Sequence, residues 1–331
     1  MTMRVGIFGV GGWGKNHVRT FCELLGEGSV VACDPDRARL DAARAAHPGI
    51  ETCDHPDVAK DKGIDAIVIA APAALHHALA REALGDGFHV LVEKPMTLTA
   101  RDSEELVRLA DEQDRILMVD HLIEYHPAVV RLKEIVDEGR LGRVLHLTSR
   151  RLNLGVIRSE ENALWSLAPH DISVILQLVG SEPTEVRAVG GTFLQEGIPD
   201  VAHLTMRFGD GALAHVHASW LDPIKVRALT VVGEGGMAVF DDVASEKLRL
   251  FDFKAGRDGD RYVPRREGEE VIDCGGPEPL RRVAEAFLES VETERPPVAD
   301  GRDGLRVVRV LEAAQASLDR DGETVRIGGG T

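Results

Sequence analysis

Several features that mark particular classes of protein are scarce in this sequence. Its 331 residues include four cysteines, with neither a Cys-x-x-Cys pair nor the spacing of a disulfide framework, so reduced thiols are expected. Lys and Arg total 39 against 55 Asp and Glu without any basic block, which argues against nucleic acid and anionic membranes as partners. No apolar run approaches the roughly 18 residues of a membrane span. These absences favour a cytoplasmic enzyme.

The first part of the chain alternates short apolar runs with helical patterns. Runs at 4–9, 29–34 and 66–71 are each followed by a helix-like segment. The continuous apolar character of the third run is typical of a parallel strand that is covered on both faces. This alternation predicts an α/β domain over 1–122, built on a doubly wound parallel sheet of the Rossmann type.

From residue 123 onward the pattern changes to longer β-like segments. Several are separated by Gly-Asp-Gly or Gly-Glu-Gly-Gly, which are hairpin signals, and helical patterns recur at about 170–178, 279–291 and 304–318. The sequence therefore predicts an α+β domain over 123–331 with a large open, mostly antiparallel sheet. Helices would cover one face and leave the other to a second subunit, so a homodimer or homotetramer is expected.

A glycine-rich segment, Gly9-Val10-Gly11-Gly12-Trp13-Gly14, follows the first predicted strand and opens a helix. It contains G-x-G-x-x-G, in which the first glycine makes a tight turn, the second admits a pyrophosphate and the third allows close helix-strand packing. Amide groups at the helix start would face the phosphates. An ordinary glycine-rich turn could give the same letters, but the strand-turn-helix context predicts a dinucleotide site.

Asp34 indicates which dinucleotide is bound, because it ends the second predicted strand 20 residues after Gly14. A carboxylate there accepts hydrogen bonds from the ribose hydroxyls and repels a 2′-phosphate, so NAD is expected and NADP is disfavoured. Arg37 is near enough in sequence to offer a phosphate some compensation. The alternative is that Asp34 only caps the next helix, with Pro35 at its first position.

Two further motifs lie where ligands bind to such sheets, beyond the carboxyl ends of strands. Ala71-Pro72-Ala73-Ala74-Leu75-His76 follows the third apolar run, and Leu91-Val92-Glu93-Lys94-Pro95 ends the next strand. With the glycine segment, these motifs resemble the glucose-fructose oxidoreductase, inositol dehydrogenase and MocA (Gfo/Idh/MocA) family over essentially the whole chain.

The resemblance implies that Glu93, Lys94 and Pro95 form the Glu-Lys-Pro turn of that family. Lys94 would then contact the nicotinamide ribose and the substrate hydroxyl, and Ala71, Pro72 and His76 would line the cofactor. A lysine in this place can stabilise a developing alkoxide or accept its proton. Without the resemblance, an exposed lysine at a helix entry would explain Lys94 equally well.

His170 matches a histidine that the family carries at the start of a helix in its substrate domain. The helix dipole there favours a neutral imidazole that can take a proton. Many members have an aspartate four residues earlier, but this chain has Ser166, so which of Lys94 and His170 takes the proton stays open. Asp171 is expected to cap the helix.

No metal is expected. His215 and His217 share the face of a predicted strand and could chelate an ion, but the sequence offers neither a nearby carboxylate nor a third ligand. A surface strand explains these histidines better.

The segment 150–172 resembles the branch of the family that acts at C3 of UDP-N-acetylglucosamine or its uronic acid, and 121–127 fits that branch too. Candidate substrate contacts are Arg151 and Arg158 to a diphosphate, Tyr125 and Asn153 to the sugar, and Trp165 stacked on its ring. Solvated arginines and a core tryptophan are the alternative explanations.

The expected reaction moves hydride from C3 of the hexose to NAD and gives a 3-keto sugar, so the expected partner is a nucleotide sugar. Two alternatives stay open, which are a dehydrogenase for inositol or a free sugar, and a non-catalytic regulator that binds NAD and a sugar. Retention of both Lys94 and His170 argues against the regulator.

Overall fold

The computed structural model describes residues 3–327, which form two compact units. The first unit contains the chain up to Leu122 together with Glu278–Val308, and the second contains Ile123–Pro277 and the chain from Arg309 onward. These units share the boundary after Leu122 with the predicted domains 1–122 and 123–331, and they differ from them in that Glu278–Val308 belongs to the first unit. Residues 328–331 of the predicted second domain lie outside the described part.

Strands make up much of both units. They are β1 (Val5–Phe8), β2 (Val30–Cys33), β3 (Glu51–Cys53), β4 (Ala66–Ile69), β5 (His89–Val92), β6 (Leu117–Val119), β7 (Val144–Leu152), β8 (Pro183–Gly191), β9 (Val201–Phe208), β10 (Leu213–Ser219), β11 (Val226–Gly233), β12 (Met237–Asp241), β13 (Leu248–Asp258), β14 (Arg261–Ile272) and β15 (Val325–Arg326).

Helices connect or cover these strands. They are α1 (Gly14–Leu25), α2 (Arg37–Ala46), α3 (Pro56–Lys60), α4 (His76–Gly85), α5 (Ala100–Gln113), α6 (Pro127–Asp137), α7 (Ala163–Leu167), α8 (Pro169–Val179), α9 (Pro279–Thr293) and α10 (Gly301–Leu318). No helix in the range 3–327 is both long and apolar enough to cross a membrane.

The first unit is built on a parallel sheet in the order β3-β2-β1-β4-β5-β6. This is the strand order of doubly wound dinucleotide-binding domains, so the Rossmann prediction is confirmed. Strands β1, β2 and β4 are buried at every position, because helices cover both faces of such a sheet. The sequence analysis missed β3, a three-residue edge strand with one exposed and one half-buried position.

The segment Glu278–Val308 completes the first unit. Helix α9 packs against α1, and the Val119 amide of β6 donates a hydrogen bond to the Ala299 carbonyl at 2.9 Å. Leu305 and Val308, in the first turns of α10, are part of the same buried apolar cluster as the central strands.

The second unit is built on a nine-stranded sheet in the order β14-β13-β12-β11-β7-β10-β9-β8-β15. All neighbours are antiparallel except β7 and β10, so the prediction of a mostly antiparallel sheet is confirmed. Strand β9 shows the alternation of a sheet with one covered face, because Ala202, Leu204, Met206 and Phe208 are buried and His203 is exposed.

Candidate active site

The loop between β1 and α1 requires glycine at two of its motif positions. Gly9 has φ 88°, and a Cβ on it would lie 2.8 Å from the backbone of Ala70 and Ala71. A Cβ on Gly14 would lie 1.8 Å from the Gly9 carbonyl oxygen, whereas one on Gly12 would meet nothing within 4 Å. The first and third glycines therefore bring the loop, the start of α1 and the residues after β4 close together, which fits the cradle of a dinucleotide pyrophosphate.

Asp34 lies at the end of β2, buried, with its carboxylate directed at this loop. One oxygen accepts the Val10 amide at 2.9 Å and the other accepts the Asp36 amide at 2.9 Å. Asp36, and not Asp34, caps α2, because its side chain accepts the Ala38 amide. The capping explanation for Asp34 is therefore wrong, and its carboxylate holds the backbone of the glycine loop.

Arg39, which the sequence analysis did not single out, lies beside Asp34 at 3.5 Å between Nη1 and Oδ2. A Cβ on Gly11 would lie 3.4 Å from the same Nη1 atom. Arg37 is instead exposed and faces Asp54 at 4.0 Å. Residues two apart on a helix do not share a face, so only one of the two arginines can reach the loop, and it is Arg39.

Lys94 lies in the turn that follows β5, and its peptide bond to Pro95 is cis. The Glu93 amide donates to the Ile69 carbonyl at 2.9 Å, which ties the turn to the end of β4. His76 is buried between the two segments, with Nδ1 2.8 Å from the Pro95 carbonyl oxygen and Nε2 2.9 Å from the Ala71 carbonyl oxygen. The structure thus brings the Ala71, His76 and Lys94 motifs together.

Glu93 belongs to a cluster of titratable groups that sequence reasoning missed. His17 Nε2, on α1, is 2.9 Å from Glu93 Oε1 and 3.4 Å from Asp120 Oδ2, just beyond β6. The His17 and Asp120 side chains are fully buried, and 12% of the Glu93 side chain is exposed.

These contacts change the proton affinity of two groups. Burial opposes protonation of His17, but the neighbouring Asp120 and Glu93 carboxyl groups outweigh that penalty and raise its pKa to about 9. Burial and the neighbouring Asp120 carboxylate raise the pKa of Glu93 to about 7, although His17 and Lys94 oppose the rise. At neutral pH, His17 is therefore a buried cation between two carboxyl groups.

In the second unit, His170 is the second residue of α8, which begins at Pro169. The N-cap residue is Ala168, and no side chain caps this helix. The Asp171 carboxylate instead accepts the Ser149 hydroxyl at 2.5 Å and the Arg151 Nε at 2.6 Å. The capping role expected for Asp171 is therefore wrong, because this carboxylate ties the first turn of α8 to β7.

His170, Arg151 and Asp171 line one cavity of the second unit together with Arg227 and Ser149. Arg227 lies on β11, opposite Arg151 on β7, and was not singled out in the sequence. Its Nη2 donates to Asn153 Oδ1 at 2.7 Å, and its Nη1 donates to the Leu152 and Val226 carbonyls. Burial and the neighbouring Arg151 cation lower the pKa of Arg227.

The other candidate substrate residues are not among the described residues that line this cavity. Arg158 is exposed, 3.6 Å from Glu161, and Tyr125 is buried in a 3-10 helix. The Trp165 indole donates to Gln315 Oε1 at 3.1 Å, and Ser166 is buried in α7.

The described residues hold two groups of three side chains with metal-ligand spacing. They are His17, Glu93 and Asp120, and His77, Asp102 and Glu105. His215 belongs to neither group and lies 3.1 Å from the Thr205 hydroxyl, while the His217 ring stacks on His203 at 4.1 Å between centroids. The absence of a metal requirement stays a prediction.

Two protein families match this chain, one over its N-terminal part and one over a later part. Residues 3–121 match the GFO/IDH/MocA oxidoreductase family with an NAD-binding Rossmann fold, and residues 129–239 match the GFO/IDH/MocA C-terminal domain. UDP-N-acetylglucosamine 3-dehydrogenase from Acidithiobacillus ferrooxidans is 29% identical over 325 residues, which are 96% of this chain and 99% of that enzyme. Its crystal structure has a TM-score of 0.85 at 26% identity and covers 97% of this chain and 99% of its own.

Inositol dehydrogenases are similar at a comparable level. Inositol 2-dehydrogenase 2 from Paenarthrobacter aurescens is 27% identical and covers 99% of both chains. The relatives therefore agree on a nicotinamide-dependent oxidation at a CH-OH group and differ in the molecule that is oxidised. Because both domain families match and together span well over half of the sequence, this chain belongs to the Gfo/Idh/MocA family of oxidoreductases.

Proposed function

We propose that this protein uses NAD to oxidise C3 of a UDP-N-acetylhexosamine or its uronate to the 3-keto sugar. The observation that carries the choice of substrate is the similarity to UDP-N-acetylglucosamine 3-dehydrogenase over 96% of this chain and 99% of that enzyme. The bound nicotinamide supplies the hydride acceptor. The chain's own residues hold the two reactants and take the hydroxyl proton.

The preference for NAD rests on Asp34. Its buried carboxylate is fixed by the Val10 and Asp36 amides, so it can accept ribose hydroxyls without rearrangement. A 2′-phosphate would meet this negative charge. Arg39 offers limited compensation, because it already lies 3.5 Å from Asp34 and 3.4 Å from Asp36.

Lys94 and His170 are the residues to which we assign the proton of the C3 hydroxyl. Lys94 follows β5 at the carboxyl edge of the parallel sheet, where such folds bind ligands. His170 lies in the first turn of α8, where the helix dipole favours the neutral imidazole that can accept a proton. The hydroxyl of Ser166 stays protonated at neutral pH and cannot replace the missing aspartate as a base.

The position of Arg227 favours a substrate that carries negative charge. Arg151 is already paired with Asp171, whereas no carboxylate within the described range 3–327 forms an ion pair with Arg227. The Arg227 guanidinium lines the cavity beside His170, and this cavity, about 10 Å³ in volume, must widen before it admits a carboxylate or diphosphate. Tyr125, Asn153, Arg158 and Trp165 stay in the proposal as candidate contacts to the nucleotide and the sugar.

Formation of NADH with four substrates side by side tests the proposal. Turnover with UDP-N-acetylglucosamine or its uronate, well above that with myo-inositol and glucose, is expected. Preference for myo-inositol or glucose would replace the substrate assignment and leave the oxidoreductase class intact. Binding of NAD and a sugar without turnover of any substrate would favour the regulator.

We also propose that the protein forms a homodimer or homotetramer through the second sheet. The exposed residues His203 and His215 lie on the face of that sheet opposite its buried side chains. Light scattering with size-exclusion chromatography should give twice or four times the chain mass of 35.9 kDa. A single-chain mass would contradict this proposal.

A further inference from the structure

The cluster of His17, Glu93 and Asp120 connects the glycine loop to the Lys94 turn. His17 lies in the first turn of α1, three residues after Gly14, so its position is set by the loop that would hold the pyrophosphate. Glu93 contacts His17 through Oε1 and accepts the Lys94 amide through Oε2 at 3.3 Å. One side chain thus lies between helix α1 and the backbone of Lys94.

We propose that His17 is a positioning residue for Lys94, which it fixes through Glu93 and whose charge environment it sets. The inference rests on the proposed role of Lys94 in proton transfer. His17 acts through Glu93, so its contribution differs from that of a group that contacts the substrate.

Charge balance is the first argument. Glu93 and Asp120 approach the same His17 nitrogen, and two carboxylates in a buried place repel each other unless a cation lies between them. Protonated His17 supplies that cation, and the 2.9 Å distance to Glu93 is that of a charge-assisted hydrogen bond. The high pKa of His17, about 9, agrees with this assignment.

The other charges around the cluster do not replace His17. The Lys94 cation lowers the pKa of the Glu93 carboxyl group, but it does not outweigh the effect of burial and of Asp120. His121 is fully buried, and burial lowers its pKa, so it is neutral at physiological pH. Arg306 on α10 is paired with Asp303 three residues before it. Protonated His17 contacts both carboxyl groups directly, at 2.9 Å from Glu93 and 3.4 Å from Asp120.

The pH dependence follows from these contacts. Glu93 has a raised pKa of about 7, so it becomes protonated as the pH falls through neutrality and the negative charge beside Lys94 is lost. Replacement of His17 by a neutral residue removes the cation that favours ionised Glu93. The pKa of Glu93 should then rise, and any limb of the rate profile that reports Glu93 should move to higher pH.

The main test compares His17→Asn with His47→Asn, which alters a half-exposed histidine of the same unit near Glu27. Both are assayed with whichever alcohol substrate the wild type oxidises, from about pH 6 to about pH 10. We expect His17→Asn to lower kcat roughly 10- to 100-fold, with a much smaller change in the KM for NAD and a shifted pH profile. His47→Asn should match the wild type.

Glu93→Gln provides a test that needs no substrate and does not depend on the folding of His17→Asn. The amide is isosteric and retains hydrogen-bonding atoms but has no charge. NMR titration of the His17 ring should show a pKa near 9 in the wild type and a lower value, closer to the ordinary 6.5, in Glu93→Gln. An unchanged His17 titration would overturn the inference.

Lys94→Ala separates this inference from the proposed function. If Lys94→Ala loses turnover while His17→Asn keeps the wild-type kcat and pH profile, the role of His17 is refuted and the role of Lys94 stands. If Lys94→Ala keeps normal turnover, the proposed role of Lys94 fails and the inference fails with it. Loss in both variants, with the shifted pH profile in His17→Asn, supports both.

Discussion

The two units hold their candidate residues by different means. In the first unit, backbone amides do much of the positioning. The Gly9 and Glu93 amides donate hydrogen bonds to the Cys33 and Ile69 carbonyls, and the Val10 amide donates one to the Asp34 carboxylate. In the second unit, pairs of side chains from distant parts of the chain do it, such as Arg151 with Asp171 and Trp165 with Gln315.

This difference suggests how the fold divides its tasks. A dinucleotide presents the same phosphates and ribose to many enzymes, and a cradle of backbone amides and glycines suits a ligand that does not change. A substrate site must differ between relatives, and side-chain pairs can be exchanged without altering the sheet that carries them. The second unit should therefore be sensitive to charge changes at these pairs, and the first to changes at its turns and in the buried cluster of His17, Glu93 and Asp120.

Asp171→Ala should have the largest effect on stability. It leaves Arg151 without its carboxylate partner and Ser149 without its acceptor, and removal of one partner of a buried ion pair costs about 3–5 kcal/mol. Urea unfolding measures the loss of free energy. Asp137→Ala, which removes an exposed partner of Lys133 in the same unit, should cost about 0–1 kcal/mol. Equal losses in the two variants would show that the buried Arg151–Asp171 pair stabilises the second unit no more than an exposed ion pair does.

Lys94→Ala should have the largest effect on turnover. If Lys94 takes part in proton transfer, kcat falls by roughly 10²-fold or more, while affinity for NAD changes far less. Steady-state kinetics and NADH titration separate the two quantities. Lys133→Ala, which alters a lysine in the exposed ion pair with Asp137, is the control and should leave both unchanged. Normal turnover in Lys94→Ala would reject the assignment.

Asp34→Asn should change cofactor preference. The amide keeps the shape of the side chain but removes the charge that binds ribose hydroxyls and repels a 2′-phosphate. A hydrogen bond to a charged group contributes about 1.5–3 kcal/mol, so the preference for NAD over NADP should fall roughly 10- to 100-fold. Ratios of kcat/KM for the two cofactors measure the change. Asp41→Asn, which alters an exposed carboxylate on α2 beside Arg44, should keep the wild-type ratio.

Exhaustive chelation should have the smallest effect, because the proposed chemistry needs no metal. His17 forms a hydrogen bond with Glu93 and lies near the Asp120 carboxylate, so these contacts account for the first cluster without a metal ion. In the second cluster, His77 lies 3.1 Å from Glu105. Activity after dialysis against a chelator should equal that of the untreated enzyme. Loss of activity that zinc restores would make one of these two clusters a metal site.

The features that the sequence revealed are those whose partners are neighbours along the chain. The glycine motif is recognisable because its short spacing follows a strand and opens a helix, and the Glu-Lys-Pro turn is recognisable because its three adjacent residues resemble a family motif. His17 and Glu93 are 76 residues apart, and no local pattern in either segment predicts their contact. The same reason explains why Arg227, opposite Arg151 on a neighbouring strand, was missed.

Local patterns also suggested two helix caps that the structure does not show, one as the alternative explanation for Asp34 and one as the expected role of Asp171. Asp34 and Asp171 each stand near the start of a helix, where a cap is the ordinary explanation for an aspartate. Both carboxylates are instead bound elsewhere, by the Val10 amide and by Arg151. Strand β14 carries little signal of a half-buried strand, because most of its residues are exposed and many of them are charged.

The return of Glu278–Val308 to the first unit has a consequence for the order in which the protein is made. Synthesis delivers β1 to β6 first, but the Ala299 carbonyl that pairs with β6, and Leu305 and Val308 of its core, emerge only after the whole of β7 to β14. N-terminal domains generally fold first on the ribosome. Here part of the core of the nucleotide-binding domain stays open until the residues up to Val308 have been translated.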